Sequence, residues 1–213
     1  MKLSKKSLQL YLVTDRSWLS GVPLINQVET CIENGVTMVQ LREKNLSREH
    51  FLSEAIALSA MCKKHGVPFL INDDVEIAIL SDADGVHVGQ SDMAAGNVRA
   101  RIGDNKILGV SAHSVSDAIA AEAAGADYLG VGAVFGTSTK LDAGNVALDT
   151  LRDICSAISI PVVAIGGISA SNTLKLQDSG VVGVAVISAI LAQPDVSLAT
   201  RQMLALTNEL VNE

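Results

Sequence analysis

Three cations and two carboxylates carry most of the chemistry that this sequence advertises. Arg42 and Lys44 fall in the run Gln40-Leu-Arg-Glu-Lys44, and Lys140 ends the run Thr137-Ser138-Thr139-Lys140. Gathered at one place, they suit an anion of high charge, Arg offering a planar fork and Lys a point charge. Read singly, each is equally well a solvated loop residue. Asp73, in Asn72-Asp73-Asp74-Val75, and Asp92, in Gln90-Ser91-Asp92, are the carboxylates. Two carboxylates with substrate oxygens and waters fit magnesium, which proteins hold through one or two carboxylates and substrate phosphates. Asp73 or Asp74 could instead cap the following helix; we assign Asp74 to the cap and Asp73 to the metal. Gly166-Gly167 and Ile187-Ser188 can turn backbone N–H groups toward a phosphate, and Thr137 to Thr139 would add hydroxyl donors. The pattern implies two anionic sites and a divalent cation, the needs of an enzyme that joins two phosphorylated molecules.

These residues need a scaffold that brings distant loops together. Eight short apolar runs recur: Leu8 to Val13, Met38 to Leu41, Pro68 to Ile71, Gly85 to Val88, Ile107 to Val110, Tyr128 to Gly132, Val162 to Ile165 and Gly183 to Ile187. Rich in Val, Ile and Leu without polar alternation, they read as parallel strands buried on both faces. Segments of helical periodicity lie between them, including Arg48 to Lys64, Ser114 to Ala124 and Leu148 to Ala157. Several helices end in the same way, at Asn34-Gly35-Val36, His65-Gly66-Val67, Ala124-Gly125-Ala126 and Ser179-Gly180-Val181, where glycine supplies the left-handed turn. No linker or shift of composition divides the chain, so a single (β/α)8 barrel domain is expected over residues 1–213, in preference to an open doubly wound sheet. In a barrel, chemistry sits at the carboxyl ends of the strands. The polar residues named above follow the apolar runs, as that rule requires.

Composition closes off other classes. The 213 residues are 48% hydrophobic and 3% aromatic, with 16 basic against 23 acidic side chains and a net charge of -7. That leaves neither the basic face nor the stacking rings that nucleic-acid binding demands. The longest uncharged run, Ile154 to Leu174, contains Pro161, Gly166 and Gly167 and makes a poor membrane span. Met1 to Ser7 lead straight into the first strand with no signal-peptide core, and Cys31, Cys62 and Cys155 form no CxxC pair. A cytoplasmic protein with reduced thiols is expected, and its oligomeric state is left open. His50 and His65 read as solvated, His87 as an interior histidine with satisfied nitrogens, and His113 as ambiguous. Neither a zinc motif nor a Ser-His-Asp context is present. Trp18 and Phe135 either cover an aromatic ligand or anchor their loops.

Seven motifs taken together resemble the thiamine phosphate synthase family: Tyr11-Leu-Val-Thr-Asp15, Gln40-Leu-Arg-Glu-Lys44, Ile71-Asn-Asp-Asp74, Asp84-Gly-Val-His-Val-Gly-Gln-Ser-Asp92, Gly109-Val-Ser-Ala-His-Ser114, Gly136-Thr-Ser-Thr-Lys140 and Ile165-Gly-Gly-Ile168. They run in order from the first strand to the last. The resemblance implies a magnesium-dependent transferase of thiamine biosynthesis. Its two small phosphorylated substrates would be 4-amino-5-hydroxymethyl-2-methylpyrimidine diphosphate and 4-methyl-5-(2-hydroxyethyl)thiazole phosphate. Carried over by motif, Gln40, Arg42, Lys44, Asn72, Ser111 and Lys140 would bind the pyrimidine diphosphate, with Lys44, Ser111 and Lys140 catalytic. Asp73 and Asp92 would hold magnesium, and Thr137, Ser138, Thr139, Gly167, Ile187 and Ser188 the thiazole phosphate. One departure is Ala147, where the family more often has glycine before the leucine. Two rivals share the barrel: a thiazole tautomerase-like isomerase, expected to lack the diphosphate and magnesium residues, and a non-catalytic phosphate-binding barrel, which would need neither the metal pair nor Lys140.

Overall fold

The computed structural model of the protein describes residues 3–19, 21–89, 95–136 and 145–211. Eight parallel strands close into a barrel in sequence order: β1 (Leu10–Val13), β2 (Met38–Leu41), β3 (Phe69–Asn72), β4 (Gly85–Val88), β5 (Ile107–Ala112), β6 (Tyr128–Val131), β7 (Val162–Ile165) and β8 (Gly183–Val186). Closure is made by β1 and β8, with Leu10, Tyr11 and Leu12 opposite Val184, Ala185 and Val186. The expected (β/α)8 architecture is therefore present. Two strands reach further toward the mouth than the apolar runs indicated. β3 includes Asn72, paired with His87, and β5 includes Ser111 and Ala112, paired with Gly130 and Val131. At the other end, Lys5–Leu8 form a 3-10 helix, and its Leu8 plugs the barrel floor.

The helices are α1 (Leu24–Glu33), α2 (Arg48–His65), α3 (Val75–Leu80), α4 (Ala95–Ile102), α5 (Val115–Ala123), α6 (Leu148–Ala157), α7 (Ser188–Leu191) and α8 (Val196–Val211). Local chemistry sets their ends. Ser47, Asp74 and Ser114 accept from the backbone N–H of His50, Ile77 and Asp117, satisfying donors that the first turn leaves without partners. Asp74 is thus the cap that the sequence suggested. α2 buries Phe51, Ala55, Leu58 and Cys62, one helical stripe, and closes at the left-handed Gly66. Between β7 and β8 the chain makes only a 3-10 turn, Thr173–Leu176. Among the described residues no helix is long and apolar enough to cross a membrane.

Two apolar cores follow from the alternation of strand side chains. The larger joins the outer faces of the strands to the helices, through residues such as Leu12, Val39, Ile71, Val86 and Ala164. The smaller fills the barrel lumen with Leu8, Tyr11, Val13, Met38, Leu70, Ile107, Tyr128, Val163 and Ala185. Glycines on the inner face leave room for the large members: a Cβ on Gly109 would lie 2.3 Å from the Tyr128 hydroxyl and 2.5 Å from Nδ1 of His87.

All three thiols are free, and Cys31 and Cys62 are buried in the outer core. Burial pushes both up to about 12 and Cys155 up to about 11. An unfolded chain ionises its thiols near pH ~8.5, so this contribution to stability is complete below that pH and is lost as pH rises through the folded values. At pH 8 a disulfide reagent should label the native protein slowly and all three thiols at once in denaturant. Fast labelling of Cys31 or Cys62 in the native state would contradict this packing.

Candidate active site

One pocket opens at the carboxyl ends of the strands and descends into the lumen as far as Tyr11 and Gly130. Gln40, Arg42, Asn72 and Ser111 line one arc of it, and Gly166, Gly167, Ile187 and Ser188 line the other. The first arc belongs to β2, β3 and β5; the second follows β7 and β8. Residues separated by as many as 177 positions in sequence, Tyr11 and Ser188, thus face one space because the barrel closes.

The polar arc is built by stitching loops together. The Arg42 N–H donates to the buried Thr14 hydroxyl at 3.0 Å, while the Thr14 N–H donates to the Gln40 carbonyl at 3.0 Å. The Arg42 guanidinium lies 3.5 Å from Asp15. Lys44, which like Asp73 is not among the residues lining the pocket, donates to Oδ2 of Asp73 at 2.7 Å. Asp73 stands in the left-handed region with φ 65°, held there as its N–H donates to the His87 carbonyl at 2.8 Å. That conformation is uncommon for a residue with a Cβ and clusters at functional sites. Asp74 turns away to pair with Arg48 at 3.0 Å. Cations and acids at this rim are therefore paired with one another, without a large excess of positive charge.

Glu43 behaves differently from its neighbours. Its side chain is 3% exposed and pairs with Arg16 at 2.7 Å; Arg16 also reaches Glu54. Burial raises the Glu43 carboxyl above its usual range despite the Arg16 hydrogen bond. It braces the loops after β1 and β2, a role that the mixed run Arg42-Glu43-Lys44 did not reveal.

The second arc depends on close backbone approach. The loop after β6 lies on the end of β7, with Val134 N–H donating to the Ile165 carbonyl and Phe135 N–H to the Gly166 carbonyl at 3.0 and 3.1 Å. Gly167 has φ 63°, and a Cβ there would sit 1.9 Å from the Gly136 carbonyl oxygen. Ile187 and Ser188 begin α7 at the same rim. Thr137, Ser138, Thr139 and Lys140, which continue from Gly136, lie outside the described residues, as does Asp92. Trp18 and Phe135 are not among the lining residues; Phe135 packs on the outer core.

Under both arcs lies a chain of buried and half-buried polar groups that the strand-end motifs did not expose. Gln40 Nε2 donates to the Tyr11 hydroxyl at 2.5 Å, Tyr11 and Tyr128 hydroxyls are 2.9 Å apart, and His87 contacts Tyr128 through Nδ1 at 2.9 Å and Ser111 through Nε2 at 3.0 Å. His87 is the satisfied interior histidine expected. His113 directs Nδ1 to the Gly132 carbonyl at 2.6 Å, and His65, read as solvated, pairs with Glu29 at 3.0 Å. Period-two alternation was the available signal: Tyr11, Val13, Gln40, Asn72, His87 and Ser111 all belong to the inner face.

Asp73 suits a magnesium ligand: it offers a partly exposed, hard oxygen donor at the rim, beside Asn72 and on a backbone fixed by His87. Among the described residues no cluster of three or more His, Cys, Asp or Glu side chains gathers to hold a metal.

The sequence profile of the thiamine monophosphate synthase family matches residues 10–190. The chain belongs to this family. It is 50% identical over 201 residues to a thiamine-phosphate synthase of Ruminiclostridium cellulolyticum, covering 94% of this chain and 96% of that one. It is 51% identical over 193 residues to the thiamine-phosphate synthase of Clostridioides difficile, covering 91% and 92%. Among solved structures it is similar to thiamine phosphate pyrophosphorylase from Pyrococcus furiosus, with a TM-score of 0.89, 37% identity, and 97% and 98% coverage. The family expected from the seven motifs is confirmed.

Gly167→Ala tests the second arc. The added Cβ combines a left-handed backbone with collision against the Gly136 carbonyl, so a loss of about 1–3 kcal/mol is expected, with amide shifts concentrated at Val134 and Phe135. Unchanged stability and unchanged shifts there would show that the loop after β6 is not seated on Gly167.

Proposed function

We propose that the mouth joins 4-amino-5-hydroxymethyl-2-methylpyrimidine diphosphate to 4-methyl-5-(2-hydroxyethyl)thiazole phosphate, giving thiamine phosphate and diphosphate. Thiamine-phosphate synthesis is a transferase activity and is that of the family to which the chain belongs. Neither the tautomerase nor the silent phosphate-binding barrel draws support from these relatives. The observation that carries the site assignment is the division of one pocket into a polar arc around Arg42 and a glycine arc at Gly166 and Gly167.

On this reading Gln40, Arg42, Lys44, Asn72, Ser111 and Lys140 hold the pyrimidine diphosphate. Thr137, Ser138, Thr139, Gly167, Ile187 and Ser188 hold the thiazole phosphate. Asp73 and Asp92 would hold magnesium, whose positive charge would help neutralise the leaving diphosphate. The bond between the pyrimidine methylene carbon and the diphosphate oxygen breaks, its electron pair departing with diphosphate. The ring amino group feeds electron density toward that methylene, and the thiazole nitrogen lone pair then forms the new carbon–nitrogen bond. Arg42, Lys44 and Lys140 stabilise charge that grows on the leaving group, an electrostatic contribution that fixed donors in a pocket supply with little reorganisation. The glycine arc keeps the thiazole ring in line with the methylene, so positioning supplies much of the remainder. Ser111, which lines the pocket from β5, would contact the ring.

Purified protein given both substrates and magnesium should release thiamine phosphate and diphosphate, and chelation should stop turnover. Lys44→Ala and Lys140→Ala should each lower kcat by about 10²–10³ with the folded state retained. Near-normal turnover of either variant at saturating substrates would remove that lysine from the mechanism; no product from folded wild-type protein would overturn the function.

A further inference from the structure

His113 lies where the two arcs of the pocket meet. It stands just past the end of β5, two residues beyond Ser111, and lines the pocket together with Gly132 and Ala133 at the exit of β6. Its main chain is held from α5: the His113 N–H donates to Oδ2 of Asp117 at 3.1 Å, while the Asp117 N–H donates to Ser114 Oγ at 3.1 Å. Its half-buried ring is held from β6, with Nδ1 2.6 Å from the Gly132 carbonyl oxygen. The functional reading above gives this residue no part.

The proton in that contact can be assigned. A carbonyl oxygen brings no hydrogen, so Nδ1 donates, and it carries a proton whether the imidazole is neutral or charged. Turning the ring over would set Cδ2 against the oxygen and lose the bond. The neutral ring is therefore the tautomer with Nδ1 protonated and Nε2 bare, a choice made by the Gly132 carbonyl.

Position gives the contact its consequence. The ladder between β5 and β6 ends at the pair Ala112 and Val131. Past that pair β5 offers no ladder donor, and the Gly132 carbonyl takes its donor from a side chain instead. On the other flank the exit of β6 is laid directly on the exit of β7. A Cβ on Gly132 would sit 2.0 Å from the Ile165 carbonyl oxygen, and one on Gly166 would sit 2.4 Å from the Ala133 Cβ. Val134 and Phe135 then donate to the Ile165 and Gly166 carbonyls. Those contacts fix the β6 exit relative to the glycine arc, whereas the His113 ring fixes it relative to β5, which carries Ser111.

We propose that His113 is a positioning residue that sets the spacing between the two arcs, its Nδ1–H clasping the Gly132 carbonyl across the end of the β5–β6 ladder. Joining two bound rings is sensitive to such spacing, since a misplacement of about 1 Å can cost about 10²-fold in rate. Each anion, in contrast, is held within its own arc. Loss of the clasp therefore slows the joining step and leaves separate binding nearly intact. This kinetic consequence rests on the functional reading above, whereas the clasp itself does not.

Three replacements separate the two ring nitrogens. In His113→Asn the side-chain amide N–H can reach the place of Nδ1, in His113→Gln it reaches the place of Nε2, and His113→Ala removes both. His113→Ala and His113→Gln should lower kcat about tenfold to hundredfold, while His113→Asn keeps it within about threefold. In all three, calorimetric Kd values for magnesium diphosphate and for the thiazole phosphate, each titrated alone, should stay within about threefold of wild type. Imidazole nitrogen shifts in ligand-free protein should show Nδ1 of His113 protonated in both charge states, with a coupling across the hydrogen bond to the Gly132 carbonyl carbon. A neutral His113 protonated on Nε2, or recovery by Gln in place of Asn, would overturn the clasp. So would normal kcat in His113→Ala, or equal losses in all three variants. Weakened binding of either anion would overturn the spacing role. Wild-type protein that makes no thiamine phosphate would instead overturn the functional reading, and the nitrogen shifts would still decide the clasp.

Discussion

Closure of the sheet between β1 and β8 is the constraint on which everything else depends. A parallel ring sends all eight carboxyl ends to one rim, so loops remote in sequence share a single pocket. It also creates a lumen that must be filled. Leu8, Met38, Leu70 and Ile107 fill the lower part with apolar volume, while Tyr11 and Tyr128 fill the middle and carry hydroxyls upward. The polar groups of the mouth therefore stand on a packed floor, and their positions are inherited from strand register instead of loop conformation. Gln40, Asn72 and Ser111 are strand residues, which gives them the rigidity that an electrostatic mechanism requires.

Charge is handled locally. A chain with a net charge of -7 places Arg42 and Lys44 next to Asp15 and Asp73, so the mouth avoids both repulsion and a strong excess field. On the reading adopted here, Arg42 and Lys44 would turn from these carboxylates to the substrate diphosphate. Arg16, Glu43 and Glu54 supply a parallel cluster that faces the loops, and Arg48 with Asp74 supplies another. An acidic net charge leaves a small anion site fully feasible.

The sequence made much of this legible, for identifiable reasons. Uninterrupted apolar runs marked strands buried on both faces, and Gly35, Gly66, Gly125 and Gly180 do adopt positive φ where segments end. Asp74 was separable from Asp73 because a cap precedes an apolar helical stripe, as it does in Val75, Ile77 and Ala78. Strand ends were less legible. Asn72 and Ser111 are polar, so hydropathy stopped the strands short of residues that register carries on. The interior layer was hidden for a related reason: Tyr11 and Tyr128 look apolar in a run, and only inner-face alternation joins them to Gln40, His87 and Ser111. Glu43 was hidden by its context, since a carboxylate between two cations reads as solvated until Arg16 arrives from another loop.

The central claim is that one rim holds two anions at once, on separate arcs. Calorimetric titration with magnesium diphosphate and with the thiazole phosphate tests it without catalysis. Each should bind one equivalent, the second should bind undiminished when the first is saturating, and Arg42→Ala should weaken diphosphate alone. Mutual displacement of the two anions, or equal weakening of both by Arg42→Ala, would contradict the account.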